Sequence, residues 1–228
     1  MSADNLEREL KLRPADPALL DRLAALERLG AFSVTGRRRE LQRNSFFDSS
    51  ARALSKARVS FRRRTIQGES LATWTLKGGG NHARGVSTRT EIELQLDPDM
   101  PPVLAIEALR QAARQRGAVV LAEELGDALA VGGLPLARPY LETETERTIL
   151  DLEAPDRGWS VELALDRVRL VGHAYAELEI EAELKRGDEA ALEAAREAIA
   201  ALGPTHESEG SKLSRALAHV AACAGCAP

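Results

Sequence analysis

Cysteine is nearly absent. The 228 residues hold two, Cys223 and Cys226, both within the last six positions. A disulfide framework is therefore excluded, and a reducing, cytoplasmic setting is the expectation. No apolar run approaches the roughly 20 residues that cross a bilayer as a helix. The first eleven residues are polar and acidic, without the apolar stretch of an export leader. An excess of positive charge is also lacking: 31 Lys and Arg against 35 Asp and Glu give −4. Bulk attraction to nucleic acid or to an anionic membrane is not expected. Lysine is scarce, with only Lys11, Lys56, Lys77, Lys185 and Lys212 against an arginine background. Each lysine therefore stands out. There is no low-complexity segment and no repeat at solenoid spacing.

What is present is ordinary for a folded protein: 44% hydrophobic and 29% charged residues. The length suits one domain with a sizeable core. Leu6 to Leu12 reads as a strand, and Pro17 to Leu29 has helical spacing with Gly30 as its C-cap. Strand texture follows in Arg37 to Phe47, Arg58 to Ile66, Ser70 to Lys77 and Val86 to Leu96. Gly68, the Gly78-Gly79-Gly80 run and Asp97-Pro98 separate them. Pro101 to Leu129 is helical, broken near Gly117. Leu134 to Leu152, Trp159 to Leu165 and Val168 to Lys185 return to strand. Asp188 to Leu202 is an amphipathic helix, Thr205 to Gly210 a polar loop, and Ser211 to Ala222 a last helix. The pattern is α+β with an antiparallel sheet and a helical insertion over 98–133.

The strands carry the functional signal. Side chains at i and i+2 share a face. Glu7, Glu9 and Lys11 share one; so do Arg62 and Arg64, Thr75 and Lys77, and Arg89, Glu91 and Glu93. Thr143, Thr145 and Arg147 align, as do Glu162, Ala164 and Asp166. Glu177, Glu179, Glu181 and Glu183 form one acidic face opposite Leu178, Ile180, Ala182 and Leu184. A solvated outer face explains any one of these strands. Taken together they are harder to explain that way. Like carboxylates ~7 Å apart repel by ~2 kcal/mol at an effective dielectric near ~20. Acid pairs in a confined space suit a divalent cation, and converging Arg and Lys suit phosphate. Metal plus polyphosphate needs both sets.

These segments resemble, in order, those of the CYTH superfamily, the triphosphate tunnel metalloenzymes. Glu7-Arg8-Glu9-Leu10-Lys11 is similar to the E-x-E-x-K signature. Asn44 to Ser49 resembles a Y-F-D-T stretch. Phe61 to Arg64, Trp74 to Lys77, Arg89 to Glu93, Glu146 to Thr148, Val161 to Asp166 and Glu179 to Asp188 resemble the later strands. Ser211-Lys212 with Arg215 resembles a terminal-helix segment of bacterial members. The resemblance implies an eight-stranded antiparallel β-barrel forming an open tunnel with a charged lumen and helices packed outside. It implies one tunnel domain over residues 1–204, with 205–228 a helix and tail of the same domain.

On that resemblance Glu7, Glu9 and Lys11 are catalytic. Lys11, Arg62, Arg64, Lys77, Arg89, Arg147 and Lys212 hold the substrate, and Arg215 helps Lys212 close one mouth. Glu7, Glu9, Glu91, Glu93, Glu162, Glu179 and Glu181 hold Mg2+ or Mn2+, with Asp166 in the acidic wall. One ion would bridge phosphate oxygens and a second would activate water. The implied reaction is hydrolysis of a small-molecule triphosphate, inorganic triphosphate first. Thiamine triphosphate and nucleoside triphosphates are alternatives. Class IV adenylyl cyclases carry an H-F pair six residues before their signature; here Met1 and Ser2 stand there. A non-catalytic polyphosphate-binding module is the reading from another class. A monomer or homodimer without nucleic-acid or membrane partners is expected. His82 and His173 near strand ends, and His219 with the Cys223-x-x-Cys226 tail, have no part in this scheme; the pair with one histidine is only part of a zinc-binding set.

Overall fold

The computed structural model describes residues 6–83, 86–208 and 210–224. In chain order it runs β1 (Leu6–Pro14), α1 (Ala18–Ala24), β2 (Arg28–Leu29), β3 (Phe32–Phe47), α2 (Ala53–Lys56), β4 (Ser60–Ile66), β5 (Ala72–Ala83) and β6 (Val86–Leu96). Then come α3 (Pro102–Gln115), α4 (Val119–Gly132), β7 (Leu141–Ala154), a 3-10 turn at Pro155–Arg157, β8 (Trp159–Leu170), β9 (Ala176–Arg186), α5 (Glu189–Ala200), β10 (Thr205–Glu207) and α6 (Lys212–Ala224). The strand order is β10-β1-β6-β5-β4-β3-β7-β8-β9, and β1 also pairs with β9. Hydrogen bonding thus returns to its start. Eight long strands form the expected closed antiparallel β-barrel, with β10 and β2 as short additions to β1 and β3. Closure leaves no open edge on the barrel strands. Among the described residues no helix is long and apolar enough to cross a membrane.

Contacts divide the chain into two compact units. The first comprises Met1–Glu7, Leu41–Asn81 and Thr88–Glu144; the second comprises Arg8–Glu40, His82–Ser87 and Thr145–Pro228. In the first, Ala105, Ile106, Leu109, Ala112 and Ala113 of α3 meet Leu121, Ala122, Leu125 and Ala128 of α4. Both rows recur at helical spacing, so each helix buries one face. They pack with Phe47, Phe61 and Trp74, whose rings lie 5.4–5.7 Å apart. Gly117 has φ +78°, and the left-handed turn it permits separates the two helices where expected.

In the second unit, Leu10, Leu12, Leu163, Leu165, Ile180 and Ala182 supply the apolar strand faces. Leu19, Leu20 and Leu23 of α1 cover them, with Ala191, Leu192, Ala195 and Ile199 of α5. Each fully buried leucine or isoleucine contributes roughly 1.5–3 kcal/mol. Asp188 starts α5 by accepting the Ala190 amide at 3.0 Å, as its position predicts.

Several expected boundaries differ. The first helix stops at Ala24, because Arg28–Leu29 pair with Phe32–Ser33. Gly30, at φ +57°, turns that hairpin and caps no helix. β5 runs through the glycine triplet to Ala83. A Cβ on Gly80 would lie 2.2 Å from the Thr88 carbonyl oxygen, so glycine is what lets the neighbouring chain approach. β7 starts at Leu141, after Pro135 and Pro139. β8 continues to Leu170, and its turn into β9 uses Gly172 at φ +78°. Within the expected polar loop, Thr205–Glu207 pairs with Leu12–Pro14.

Candidate active site

Much of the second unit's charged face is not solvated. In the second unit Glu9 is 4% exposed and Lys11 6%, while Asp166 and Glu179 are fully buried. Alternation alone left this open. The apolar face of β1 is buried by helices, and its charged face is buried as well.

Register explains how such acid density is tolerated. β8 and β9 set Asp166 opposite Glu179, and Glu162 opposite Glu183. Like charges facing each other across strands are destabilising. Cations separate them. Lys212 Nζ lies 2.8 Å from Asp166, 2.7 Å from Glu179 and 2.8 Å from Glu181. Arg147 donates to both Asp166 oxygens at 2.7 and 2.6 Å, and to Glu181 at 2.6 Å. Lys11 faces Glu181 in register, 3.4 Å away, and reaches Glu9 at 2.8 Å. Arg215 holds both oxygens of Glu177, at 2.7 and 3.0 Å, and Glu179 at 2.6 Å.

The electrostatics follow from the contacts. Burial pushes the Glu181 carboxyl up, but Lys212, Lys11 and Arg147 outweigh it and hold it well below the ordinary range. Asp166 is likewise lowered, burial being overcome by Arg147 and Lys212. Burial draws the Lys11 and Lys212 ammoniums down, yet their carboxylate neighbours leave both above the usual lysine value. All four stay charged at neutral pH.

The first unit carries a second group. Lys77 pairs with Glu7 and, at 3.4 Å, with Glu91. Arg62 lies 3.9 Å from Glu91 and 3.6 Å from Glu93, and donates to Thr75 at 3.2 Å. Thr75 donates to Glu93 at 2.9 Å. Arg64 donates to Asn44 at 3.2 Å. Burial raises Glu93, but Arg62 and Arg64 bring it below its ordinary value. Arg89, on β6, forms no ion pair among the described residues.

The structure therefore gathers Glu9, Lys11, Arg147, Glu179, Glu181 and Lys212 in one unit. In the other it gathers Glu7, Arg62, Lys77, Glu91 and Glu93, with Arg64 beside Glu93. Glu162 faces Glu183, which in turn faces Glu9 in register, and it lies 2.6 Å from half-exposed Arg38 and 4.0 Å from Lys185. Asp48 of the Asn44 to Ser49 stretch has a structural task. Its carboxylate accepts the amides of Ser49, Leu54 and Ser55 and the Ser55 hydroxyl, fixing the entry to α2.

Three participants carry no sequence signal of their own. Ser208 donates to Glu179 at 2.7 Å and accepts from Arg215 at 2.8 Å. Tyr175 donates to Glu177 at 2.9 Å. Arg38 bridges Asp151 and Glu162.

Carboxylate oxygens are hard donors of the kind Mg2+ and Mn2+ accept. Two buried ones, Glu9 Oε1 and Glu179 Oε2, are ion-paired to Lys11 and Lys212 but receive no well-directed hydrogen bond. Their lone pairs fit a cation, although no three such groups already form a finished metal cluster among the described residues.

Comparison with known proteins agrees with this chemistry. The CYTH domain family profile matches residues 5–217. HpAC1 from Hippeastrum, an adenylyl cyclase candidate that reveals a dominant triphosphatase activity, is 25% identical. The match covers 91% of this chain and 93% of that one, with a TM-score of 0.64. PH1819 from Pyrococcus horikoshii is 18% identical, with coverage of 92% and 99% and a TM-score of 0.53. An adenylate cyclase candidate from Bacillus halodurans is 21% identical, with coverage of 92% and 98% and a TM-score of 0.52. These last two likenesses bear on the fold. No curated protein matches.

Proposed function

The chain belongs to the CYTH domain family, and on that footing we propose that it hydrolyses a triphosphate, with inorganic triphosphate the preferred substrate. Water attacks the terminal phosphorus, the bridging P–O bond breaks, and diphosphate and phosphate leave. The observation that carries the reading is the buried set Lys11, Arg147 and Lys212, interleaved with Glu9, Asp166, Glu179 and Glu181. Burying this many charges costs several kcal/mol per ion unless each is compensated. A triphosphate and its cation would offer partners of both signs to such a set.

Lys11, Arg147 and Lys212 serve as donors to nonbridging phosphate oxygens. Held in place by their carboxylates, they need little rearrangement as negative charge shifts toward the leaving diphosphate. Arg62, Arg64, Lys77 and Arg89 supply further phosphate contacts in this reading. Glu9, Glu179 and Glu181, and in the first unit Glu7, Glu91 and Glu93, are the residues that would hold Mg2+ or Mn2+. Such an ion, when bound, supplies Lewis-acid polarisation and neutralises phosphate charge. Glu181 and Asp166 remain ionised, so they accept hydrogen bonds and do not act as proton donors at neutral pH. No cysteine or histidine lies among these residues, and the nucleophile in this scheme is water.

The test is phosphate release from inorganic triphosphate, thiamine triphosphate and ATP, each with Mg2+, Mn2+ or EDTA. Fastest release from inorganic triphosphate, abolished by EDTA, supports the proposal. Faster release from either other substrate keeps the reaction and overturns the substrate. No release from any of them overturns the reaction.

A further inference from the structure

One buried hydroxyl in the second unit has a fixed direction. Ser208 follows β10, and its amide donates to the Lys11 carbonyl at 3.0 Å. Its side chain is fully buried. The hydroxyl oxygen accepts from Arg215 Nη1 at 2.8 Å and lies 2.7 Å from Glu179 Oε1. Arginine only donates, so the single hydroxyl proton goes to Glu179. Arg215 Nη2 donates to the same Oε1 at 2.6 Å. That oxygen thus takes two hydrogen bonds, one from the segment after β10 and one from α6.

The other oxygen of Glu179 is held differently. Oε2 lies 2.7 Å from Lys212 Nζ yet receives no well-directed hydrogen bond. The two groups are close in charge but misaligned in direction. Lys212 also meets Asp166 and Glu181, both at 2.8 Å. A carboxylate free to turn would align with the ammonium, because a directed charge-assisted bond is stronger than a misaligned one. Ser208 and Arg215 oppose that turn by holding Oε1.

We propose that Ser208 is a positioning residue for Lys212. By holding Glu179 Oε1 it keeps Oε2 from capturing a Lys212 proton, which stays available to a phosphate oxygen. The role rests on the reading of Lys212 as a phosphate donor given above. Ser208 touches no substrate in this scheme. It is also uncharged, so replacing it leaves the charge balance of the group intact and changes direction alone.

The test is steady-state hydrolysis of inorganic triphosphate by the full chain with saturating Mg2+ or Mn2+, with circular dichroism confirming that each variant is folded. Ser208→Ala should raise KM roughly tenfold, the size of one hydrogen bond to a charged group. Its kcat should stay within about twofold, because the loss is one of binding. Ser208→Cys keeps the size and donates only weakly, and should give a smaller rise in the same direction. In a Lys212→Met background Ser208→Ala should add nothing further, since its effect passes through Lys212. An unchanged KM in Ser208→Ala overturns the role, as does an equal rise with Lys212 already replaced. A wild type that releases no phosphate overturns the hydrolysis instead. Calorimetric titration with inorganic triphosphate then compares the same variants: tenfold weaker binding by Ser208→Ala upholds the positioning role, and equal binding overturns it.

Discussion

In the second unit each of Lys11, Arg147, Lys212 and Arg215 touches at least two carboxylates, mostly at 2.6–2.8 Å. In the first unit Arg62 reaches its carboxylates only at 3.6 and 3.9 Å, Glu93 is 44% exposed in its side chain, and Arg89 forms no ion pair among the described residues. Similar residue types thus sit in two regimes. The second unit's group is compensated from within, and every member depends on the others. In the first unit Lys77 is held closely by Glu7, while Arg62 and Arg89 are loose enough to exchange partners for an incoming anion. The difference sets preorganised cations in the second unit against freer ones in the first.

The largest expected effect is on stability. Glu181→Ala leaves Lys11, Arg147 and Lys212 short of a shared partner, and should cost about 3–5 kcal/mol. Glu91→Ala, whose cations Lys77 and Arg62 keep Glu7 and Glu93 as partners, should cost less, about 1–3 kcal/mol. Urea unfolding of both variants checks the contrast; equal losses would erase it. Next is Arg62→Ala, expected to lower kcat/KM for triphosphate by ~10²–10³-fold, as for removal of one preorganised donor, with little change in unfolding midpoint. A loss confined to stability would place Arg62 in the structural regime instead.

Acid should then distinguish the groups. The carboxyls of Glu181 and Asp166 lie below their ordinary values of 4.5 and 3.8 in the folded protein. The unfolded chain therefore takes up these protons first as pH falls. Their stabilisation is full above about pH 4.5 and is lost as pH drops through the folded values. Lys11 and Lys212 are raised, so their contribution persists up to the ordinary lysine value of 10.5 and is lost only above it. Unfolding midpoints should stay flat from pH 7 to about 5 and fall below that, and the acid fall should be shallower in Glu181→Gln. The smallest effect calibrates the rest. Asp188→Ala removes the cap of α5, outside both groups, and should cost about 1 kcal/mol by thermal unfolding without changing kcat/KM.

Much of this was legible from alternation. β6 spans Val86–Leu96 as its pattern predicts, and the break at Gly117 and the start of α5 at Asp188 stand where they were expected. The glycine triplet misled because glycine serves a close strand approach as readily as a turn. Burial of the charged faces was not legible, since an alternating strand looks the same whether its polar side meets water or other strands. Ser208 and Arg38 were hidden for another reason. Their partners, Glu179 and Asp151, are 29 and 113 residues away, and only the fold brings them together.

The central claim is that buried carboxylates and cations on the barrel strands carry out metal-dependent triphosphate hydrolysis. Phosphate release from inorganic triphosphate by wild-type chain and Glu9→Gln, with saturating Mg2+ or Mn2+, tests it most directly. The account predicts turnover by the wild type that EDTA abolishes, and loss of turnover in Glu9→Gln with the fold retained by circular dichroism. Wild-type turnover by Glu9→Gln would contradict it.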